Sequence, residues 1–213
     1  IFGRRVRFRS VENVMEEIEM LISTYKIEGL FILDDTFTCN RKFLTGFCNE
    51  MIKRNIRLSI AINSRVDTIN ETILEMLKKA GIETIMFGIE SGNQEVLDNL
   101  QKGTSLEQIN NAVIWTKKRG IHVYGYFIIG SPMESRETLE QTFSLVKRLP
   151  FDEVQFSMAA PYKGTHLYDQ AQSMNLCADT TLLEEQGYFS AAAMKSLHLS
   201  AGEIKKYHHS FQR

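Results

Sequence analysis

The stretch that most restricts how this chain can fold is the run Ile85-Met86-Phe87-Gly88-Ile89, which stops abruptly at a carboxylate, a hydroxyl and a glycine, Glu90-Ser91-Gly92. An unbroken apolar run of strand length is what a central strand of a parallel sheet carries, fully buried because helices cover both faces. A charged residue where such a strand emerges has to be paired, metal-bound or turned toward a ligand. The helix-forming Gln94 to Leu100 follows at once. Glu90-Ser91-Gly92 is therefore the first candidate for ligand contact.

Around this run the chain alternates. Ser10 caps a first helix with Val14, Ile18, Leu21 and Ile22 at helical spacing, ending near Tyr25 and Lys26. A short strand, Gly29 to Leu33, ends at Asp34-Asp35. Asn40 caps a second helix whose inner face is Phe43, Leu44, Phe47, Met51 and Ile52, and the strand Leu58 to Ile62 leads to Asn63-Ser64-Arg65. A helix from Asn70 to Lys79, with Ile73, Leu74 and Leu77 inward, stops at Gly81. After the opening strand come a helix from Ser105 to Arg119, a strand from Val123 to Ile129 closed by Gly130-Ser131-Pro132, and a helix from Arg136 to Leu149. A fifth strand, Glu153 to Met158, runs into Ala160-Pro161-Tyr162. Beyond His166 the pattern is less regular, with helices expected over Ala191–Met194 and Glu203–Phe211.

Five strands alternating with five helices imply an α/β fold with a parallel sheet, either an open doubly wound sheet or part of a (β/α) barrel. No G-x-G-x-x-G follows the first strand, which weakens the dinucleotide-binding version. Polar residues finish every strand instead: Asp34 and Asp35, Asn63 and Arg65, Glu90 and Ser91, Ser131 and Glu134, and Tyr162. In a barrel those ends form one rim, where active sites are built, so a partial TIM-like barrel is the expected fold. Residues 1–170 are assigned to it and 171–213 to a C-terminal helical extension.

A formal net charge of −1 gives no electrostatic case for nucleic acid or an anionic membrane. No apolar stretch reaches the roughly 18 residues of a membrane span; no signal peptide is expected, and the expected location is cytoplasmic. Cys39, Cys48 and Cys177 are too widely spaced for a disulfide framework or a C-x-x-C metal motif.

Five segments carry a resemblance. They are Arg7-Phe8-Arg9-Ser10-Val11-Glu12-Asn13-Val14, then Phe31-Ile32-Leu33-Asp34-Asp35-Thr36-Phe37, then Phe87-Gly88-Ile89-Glu90-Ser91-Gly92 with Leu97 and Lys102-Gly103. Phe127-Ile128-Ile129-Gly130-Ser131-Pro132-Met133-Glu134 and Pro161-Tyr162-Lys163-Gly164-Thr165-His166-Leu167-Tyr168 complete the set. In this order, at strand ends, they resemble the core of radical S-adenosylmethionine (radical SAM) enzymes. The branch it looks most like is the one whose longer members carry a cobalamin-binding domain before the barrel. The resemblance covers residue 4 to about residue 170. The family's C-x-x-x-C-x-x-C loop, whose thiolates hold a 4Fe–4S cluster, is absent from the sequence. In relatives that loop precedes the segment matching Arg7 to Ser10, so the cluster ligands are expected upstream of Ile1 and none within this fragment, which lacks the first barrel strand.

The resemblance assigns roles. Glu90 would accept from a ribose hydroxyl or from the methionine ammonium of S-adenosylmethionine, with Ser91 bonding the same ligand; the alternative is that Glu90 pairs with a basic neighbour and only closes the strand. Ile128, Gly130 and Pro132 match the strand and turn that shape the adenine pocket, Glu134 orients that turn, and Met133 stands where relatives usually carry glycine. Core packing is the alternative for Ile128. Arg65 offers a bidentate partner to a carboxylate, or else forms an exposed salt bridge. Asp34 lies by the cofactor's amino group and Asp35 on the substrate side, since strand neighbours face opposite ways. Asn63 is an inward cofactor candidate, and Tyr126 and Tyr162 are substrate-side candidates. Lys102 is expected to be solvated, the alternative being that it reaches the cofactor's carboxylate, and His208-His209 to lie in an exposed tail.

The function implied is reductive cleavage of S-adenosylmethionine at the cluster, starting radical chemistry or cobalamin-dependent methyl transfer. A small molecule or a modified macromolecule is the implied substrate, with an external electron donor. The competing reading is a cluster-free barrel that holds an adenosine-like ligand or serves as a scaffold. A Schiff-base aldolase ranks last, because no strand carries an internal lysine.

Overall fold

The computed structural model of the chain describes residues 7–177 and 194–211. Its elements are α1 (Val11–Tyr25), β1 (Gly29–Ile32), α2 (Arg41–Lys53), β2 (Ser59–Ser64), α3 (Glu71–Lys79), β3 (Ile82–Glu90) and α4 (Gln94–Asn99). Then come α5 (Leu106–Lys118), β4 (His122–Ile129), α6 (Arg136–Arg148), β5 (Glu153–Met158), α7 (His166–Ser173) and α8 (Ala201–Phe211). The expected caps form. Ser10, Asn40, Asn70 and Ser105 each accept, through the side chain, an amide that the first turn leaves without a helical partner.

All five strands are parallel and lie in the order β1-β2-β3-β4-β5. Each crossover therefore steps to the adjacent strand and never reverses, which is the winding of a (β/α) barrel and excludes the doubly wound sheet. The apolar run Ile85 to Ile89, expected to be buried on both faces, is covered on one. Ile85, Phe87 and Ile89 are fully buried while Met86, Gly88 and Glu90 between them are only partly so, and β4 alternates in the same way. One face packs on helices through Leu44, Phe47, Leu74, Leu77, Ile109 and Val113. The other face carries Asn63 beside Met86, Met86 beside Tyr124, Gly88 beside Tyr126, and Tyr126 beside Gln155. Single winding accounts for this, because it puts every helix on one side of the sheet.

Several expectations are corrected. β1 ends at Ile32, and Leu33 beyond it is largely exposed, as is Ile52 on α2. His208 is not in an exposed tail: its Nε2 lies 2.9 Å from the Phe156 carbonyl oxygen, and Ile204 joins the main core beside it. Phe211 packs on Phe143 and Phe156, so α8 is part of the barrel's outer layer against β5; His209 alone of the pair is exposed. The boundary drawn at residue 170 falls inside α7. Met194 is not helical but forms an antiparallel bridge with Cys177, and Ala191, Ala192 and Ala193 lie outside the described residues. Among the described residues no helix is long and apolar enough to cross a membrane.

Two glycines give opposite predictions. A Cβ on Gly92 would lie 2.5 Å from the Thr142 Cα and 3.0 Å from the Gln141 carbonyl, backbone atoms that cannot step aside. Gly92→Ala is expected to destabilise the fold by about 2–3 kcal/mol through overpacking, measured by urea unfolding. Gly202→Ala, in α8 where nothing lies within 4 Å of the added carbon, is expected to stabilise by up to about 1 kcal/mol through helix propensity.

Candidate cofactor site

Parallel strands deliver their C-terminal ends to one edge, and at the middle of that edge stands Glu90. Its backbone is left-handed, at φ 72°, and the β3–β4 register shifts between Gly88 and Glu90. A bulge of this kind re-aims a side chain, and a left-handed non-glycine residue costs on the order of 1–3 kcal/mol, so the surrounding structure must hold it there. The side chain is held: Lys102 Nζ donates to Glu90 Oε1 at 2.6 Å, with the two side chains 17% and 16% exposed.

Lys102 reaches this point from the loop between α4 and α5. Gln101 at φ 53° and Gly103 at φ 67° flank it, so the chain doubles back after α4. Arg65, at the end of β2, anchors the loop by donating from Nη2 to the Lys102 carbonyl at 3.0 Å. The same guanidinium grips Asp67 with two hydrogen bonds of 2.9 and 2.7 Å. That bidentate bond holds the Arg65 pKa above its ordinary value, and the charge of Glu90 adds to it. Beneath the pair lies Gly88, where a Cβ would come within 2.8 Å of Glu90 Oε1 and 2.9 Å of Lys102 Nζ. Two carboxylates and two cations thus converge on the rim, with a bare stretch of backbone as their floor.

The other sequence-derived candidates divide into those at the rim and those behind it. Ser91 is fully buried; its Oγ lies 3.2 Å from Thr142 Oγ1 on α6 and accepts from the Asn93 amide. It faces the helix layer, away from Glu90's partners. Asp34 and Asp35 are both exposed and both lie beyond the end of β1, so strand alternation does not apply to them. Asn63 reaches the Asp34 carbonyl at 3.4 Å, which ties the ends of β1 and β2 together. Tyr126 is on the face opposite the helices, its hydroxyl 3.2 Å from Met86 Sδ and its ring 4.9 Å from that of Tyr124. Ile128 is half-buried and packs on the small cluster of Ala159, Ala171, Leu176 and Met194. Tyr162 is 40% exposed beyond β5.

The turn after β4 is organised from inside. Gly130 adopts φ 85°, and a Cβ there would meet Ile204 of α8 at 2.9 Å. The amides of Gly130 and Ser131 both donate to Glu134 Oε2, which is fully buried. Ser196 Oγ donates to the Glu134 carbonyl at 2.6 Å and the Leu197 amide to the Pro132 carbonyl at 2.9 Å, so residues 196–197 strap the turn from outside. Glu134 orients the turn and presents no group to the rim. Desolvation dominates over its two amide bonds and pushes its pKa up to about 7.

Asp67 and Gly88 carry no signal in the sequence, and Lys102 enters there only as the alternative to a solvated lysine. The Lys102-Gly103 pair was visible as part of a resembling segment, but no periodicity reports which way a loop lysine points. Cys48 is buried and its thiol is pushed up to about 12, Cys39 is exposed, and among the described residues no group of three His, Cys, Asp or Glu side chains could hold a metal ion.

Comparison with known proteins bears on the family and the fold. The sequence profile of the Radical SAM superfamily matches residues 1–146. An uncharacterized methyltransferase of Pyrococcus horikoshii is 41% identical over 175 residues, covering 82% of this chain and 38% of that protein. An anaerobic magnesium-protoporphyrin IX monomethyl ester cyclase of Rubrivivax gelatinosus is 34% identical over 172 residues, covering 79% of this chain and 31% of that protein. The chain thus spans about a third of the length of these relatives. Among solved structures, the radical S-adenosylmethionine methyltransferase TsrM from Kitasatospora setae, with tryptophan and a cofactor analogue bound, superposes with a TM-score of 0.70. It is 19% identical, covers 93% of this chain and 40% of that one, and shares the fold.

Burial of Glu134 makes stability depend on pH. Its folded pKa, about 7, lies above its ordinary 4.5, so the folded state binds more protons between these values. The carboxyl's contribution is fully present below about pH 4.5 and is lost as pH rises through about 7. Urea unfolding at pH 4.5 and 8 is expected to show a loss on the order of 3 kcal/mol in the wild type relative to Glu134→Gln, which keeps an acceptor for the two amides and cannot ionise. Equal pH dependence in the two proteins would refute this account.

Proposed function

The chain belongs to the radical SAM superfamily, and on that premise we propose that it is the S-adenosylmethionine-binding barrel of an enzyme that cleaves this cofactor reductively. The outcome is radical chemistry or cobalamin-dependent methyl transfer, a reading supported by relatives whose names are those of a methyltransferase and an anaerobic cyclase.

The observation that carries the proposal is the Glu90–Lys102 pair above Gly88, at the C-terminal rim of a singly wound parallel sheet. A carboxylate in a strained backbone conformation, flanked by two cations over a floor with no side chain, fits a ligand that brings ammonium, hydroxyl and carboxylate groups together. S-adenosylmethionine has all three, and when bound it supplies an adenosyl radical or a methyl group. Glu90 would accept from its ribose or its ammonium. Arg65 keeps the Lys102 loop against the rim, and Asn63 keeps the end of β1 beside it. The half-buried Tyr126, Met86 and Ile128 line the same face of the sheet. The cysteines of this chain do not fit a 4Fe–4S cluster.

The substrate is a small molecule or a modified macromolecule, electrons come from an external donor, and the enzyme works in the cytoplasm. A second reading, a barrel that binds an adenosine-like ligand without a cluster, is favoured by the cysteine chemistry. One experiment separates them. The full gene product, purified and reconstituted without oxygen, is reduced in the presence of S-adenosylmethionine. Release of methionine or S-adenosylhomocysteine is expected, and is expected to fall by about 100-fold or more in Glu90→Ala, the scale for a removed electrostatic contact. Binding without turnover by a cluster-loaded protein would favour the second reading.

A further inference from the structure

The face of the sheet that the helices leave uncovered is neutral between two carboxylates that already have partners. None of the five strands carries a lysine or an arginine. At the top of the face Glu90 is held by Lys102, and toward its foot Glu153 Oε1 lies 3.0 Å from His122 Nε2. Between them the inward positions are Ala61, Thr84, Met86, Tyr124, Tyr126 and Gln155, all half-buried or exposed. We propose that this face receives an uncharged substrate group, a flat unsaturated ring laid against Tyr124 and Tyr126. The inference rests on the function proposed above and gives the chemical class of its substrate.

The two tyrosine rings are the reason for a ring. Their centroids are 4.9 Å apart and their planes 51° apart, so they form one aromatic surface along β4. Aromatic groups attract one another beyond the area they bury, and the Met86 thioether adds a polarizable neighbour. Tyr126 donates its hydroxyl hydrogen to Met86 Sδ at 3.2 Å, and Tyr124 donates to Gln155 Oε1 at 3.0 Å. The phenol oxygens remain acceptors and the Gln155 amide nitrogen a donor, which suits neutral polar substituents on the ring. Burial holds both phenols above their ordinary pKa, so neither becomes a phenolate near neutral pH.

Charge is the reason for neutrality. A phosphate or carboxylate on the ring would meet no cation at the level of the tyrosines, and a buried charge without a partner is costly. An ammonium would have to take Glu153 from His122. Position makes the face a substrate surface. Tyr126 stands beside Gly88, two residues and so about 7 Å along β3 from Glu90 at the rim. One inward position higher on β4, Ile128 is covered by Ala159, Ala171, Leu176 and Met194, so the open part of β4 is the level of the two tyrosines.

The test uses three probes that share a bicyclic ring and differ in charge: naphthol, naphthyl phosphate and naphthylmethylamine. Their dissociation constants, and that of S-adenosylhomocysteine, are measured by equilibrium dialysis on the full gene product. The wild type is expected to bind naphthol about tenfold or more tighter than either charged probe. Tyr126→Leu is expected to weaken naphthol by about tenfold while S-adenosylhomocysteine stays within about twofold, and Tyr126→Phe, which keeps the ring, to stay within about twofold for both. Gln155→Lys is expected to tighten naphthyl phosphate by about tenfold, a gain that only a probe lying on this face can show. Equal affinity for a charged probe, naphthol binding indifferent to Tyr126→Leu, or a parallel loss of naphthol and S-adenosylhomocysteine would each overturn the inference. A wild type that binds S-adenosylhomocysteine and no naphthol overturns it while leaving the proposed function standing, and one that binds neither removes both. Should Tyr126→Leu not fold, Gln155→Lys decides, and no gain for naphthyl phosphate overturns the inference.

Discussion

Five parallel strands hydrogen-bonded in chain order are the constraint on which everything else in this molecule depends. A parallel ladder with adjacent crossovers does two things at once. It sends every helix to one side, so each strand has a buried and a less covered face, and it brings every C-terminal end to one edge. Asp34, Asn63, Glu90 and Tyr162 are tens of residues apart in the chain, yet lie at or beyond strand ends along the same edge.

Within that frame the site is built from irregularity. Glu90 leaves the ladder through a register shift and a left-handed backbone, and Lys102 arrives from a loop with left-handed residues on either side. Neither conformation is favourable alone. The ion pair between them, the Arg65 anchor on the loop and the absence of a side chain at Gly88 make the arrangement self-consistent. Behind the rim a second arrangement does a different task. Glu134 gathers the amides of Gly130 and Ser131 in a buried turn, and residues 196–197 tie that turn to the C-terminal part of the chain. The rim's polar groups stand at the open edge of the sheet, and Glu134 holds the shape of a turn behind it.

Much of the fold was legible because its signals are local. Ser10, Asn40, Asn70 and Ser105 are capping residues wherever they precede an amphipathic run, and Gly81 and Gly120 take the positive φ that ends a helix. The site was legible only in part. Glu90 stood out because a carboxylate interrupts an apolar run. Ser91, its neighbour, carried the same signal and yet points into the helix layer, because one left-handed residue separates their directions. Lys102 looked like any loop lysine. His208 looked like tail, because its partner is a backbone carbonyl on β5, 52 positions away in sequence.

The sequence by itself determined the alternation of strands and helices, the caps, the rim composition and the family, all of which follow from residue type and short-range order. Only the tertiary structure decided three things: that the strands lie in unreversed order, that β3 is covered on one face, and that Glu90 shares its charge with Lys102. Each depends on pairing between distant segments, where register and loop direction, rather than the residues' own preferences, set which groups meet. The carboxylate was written in the chain. Its partner was a consequence of the fold.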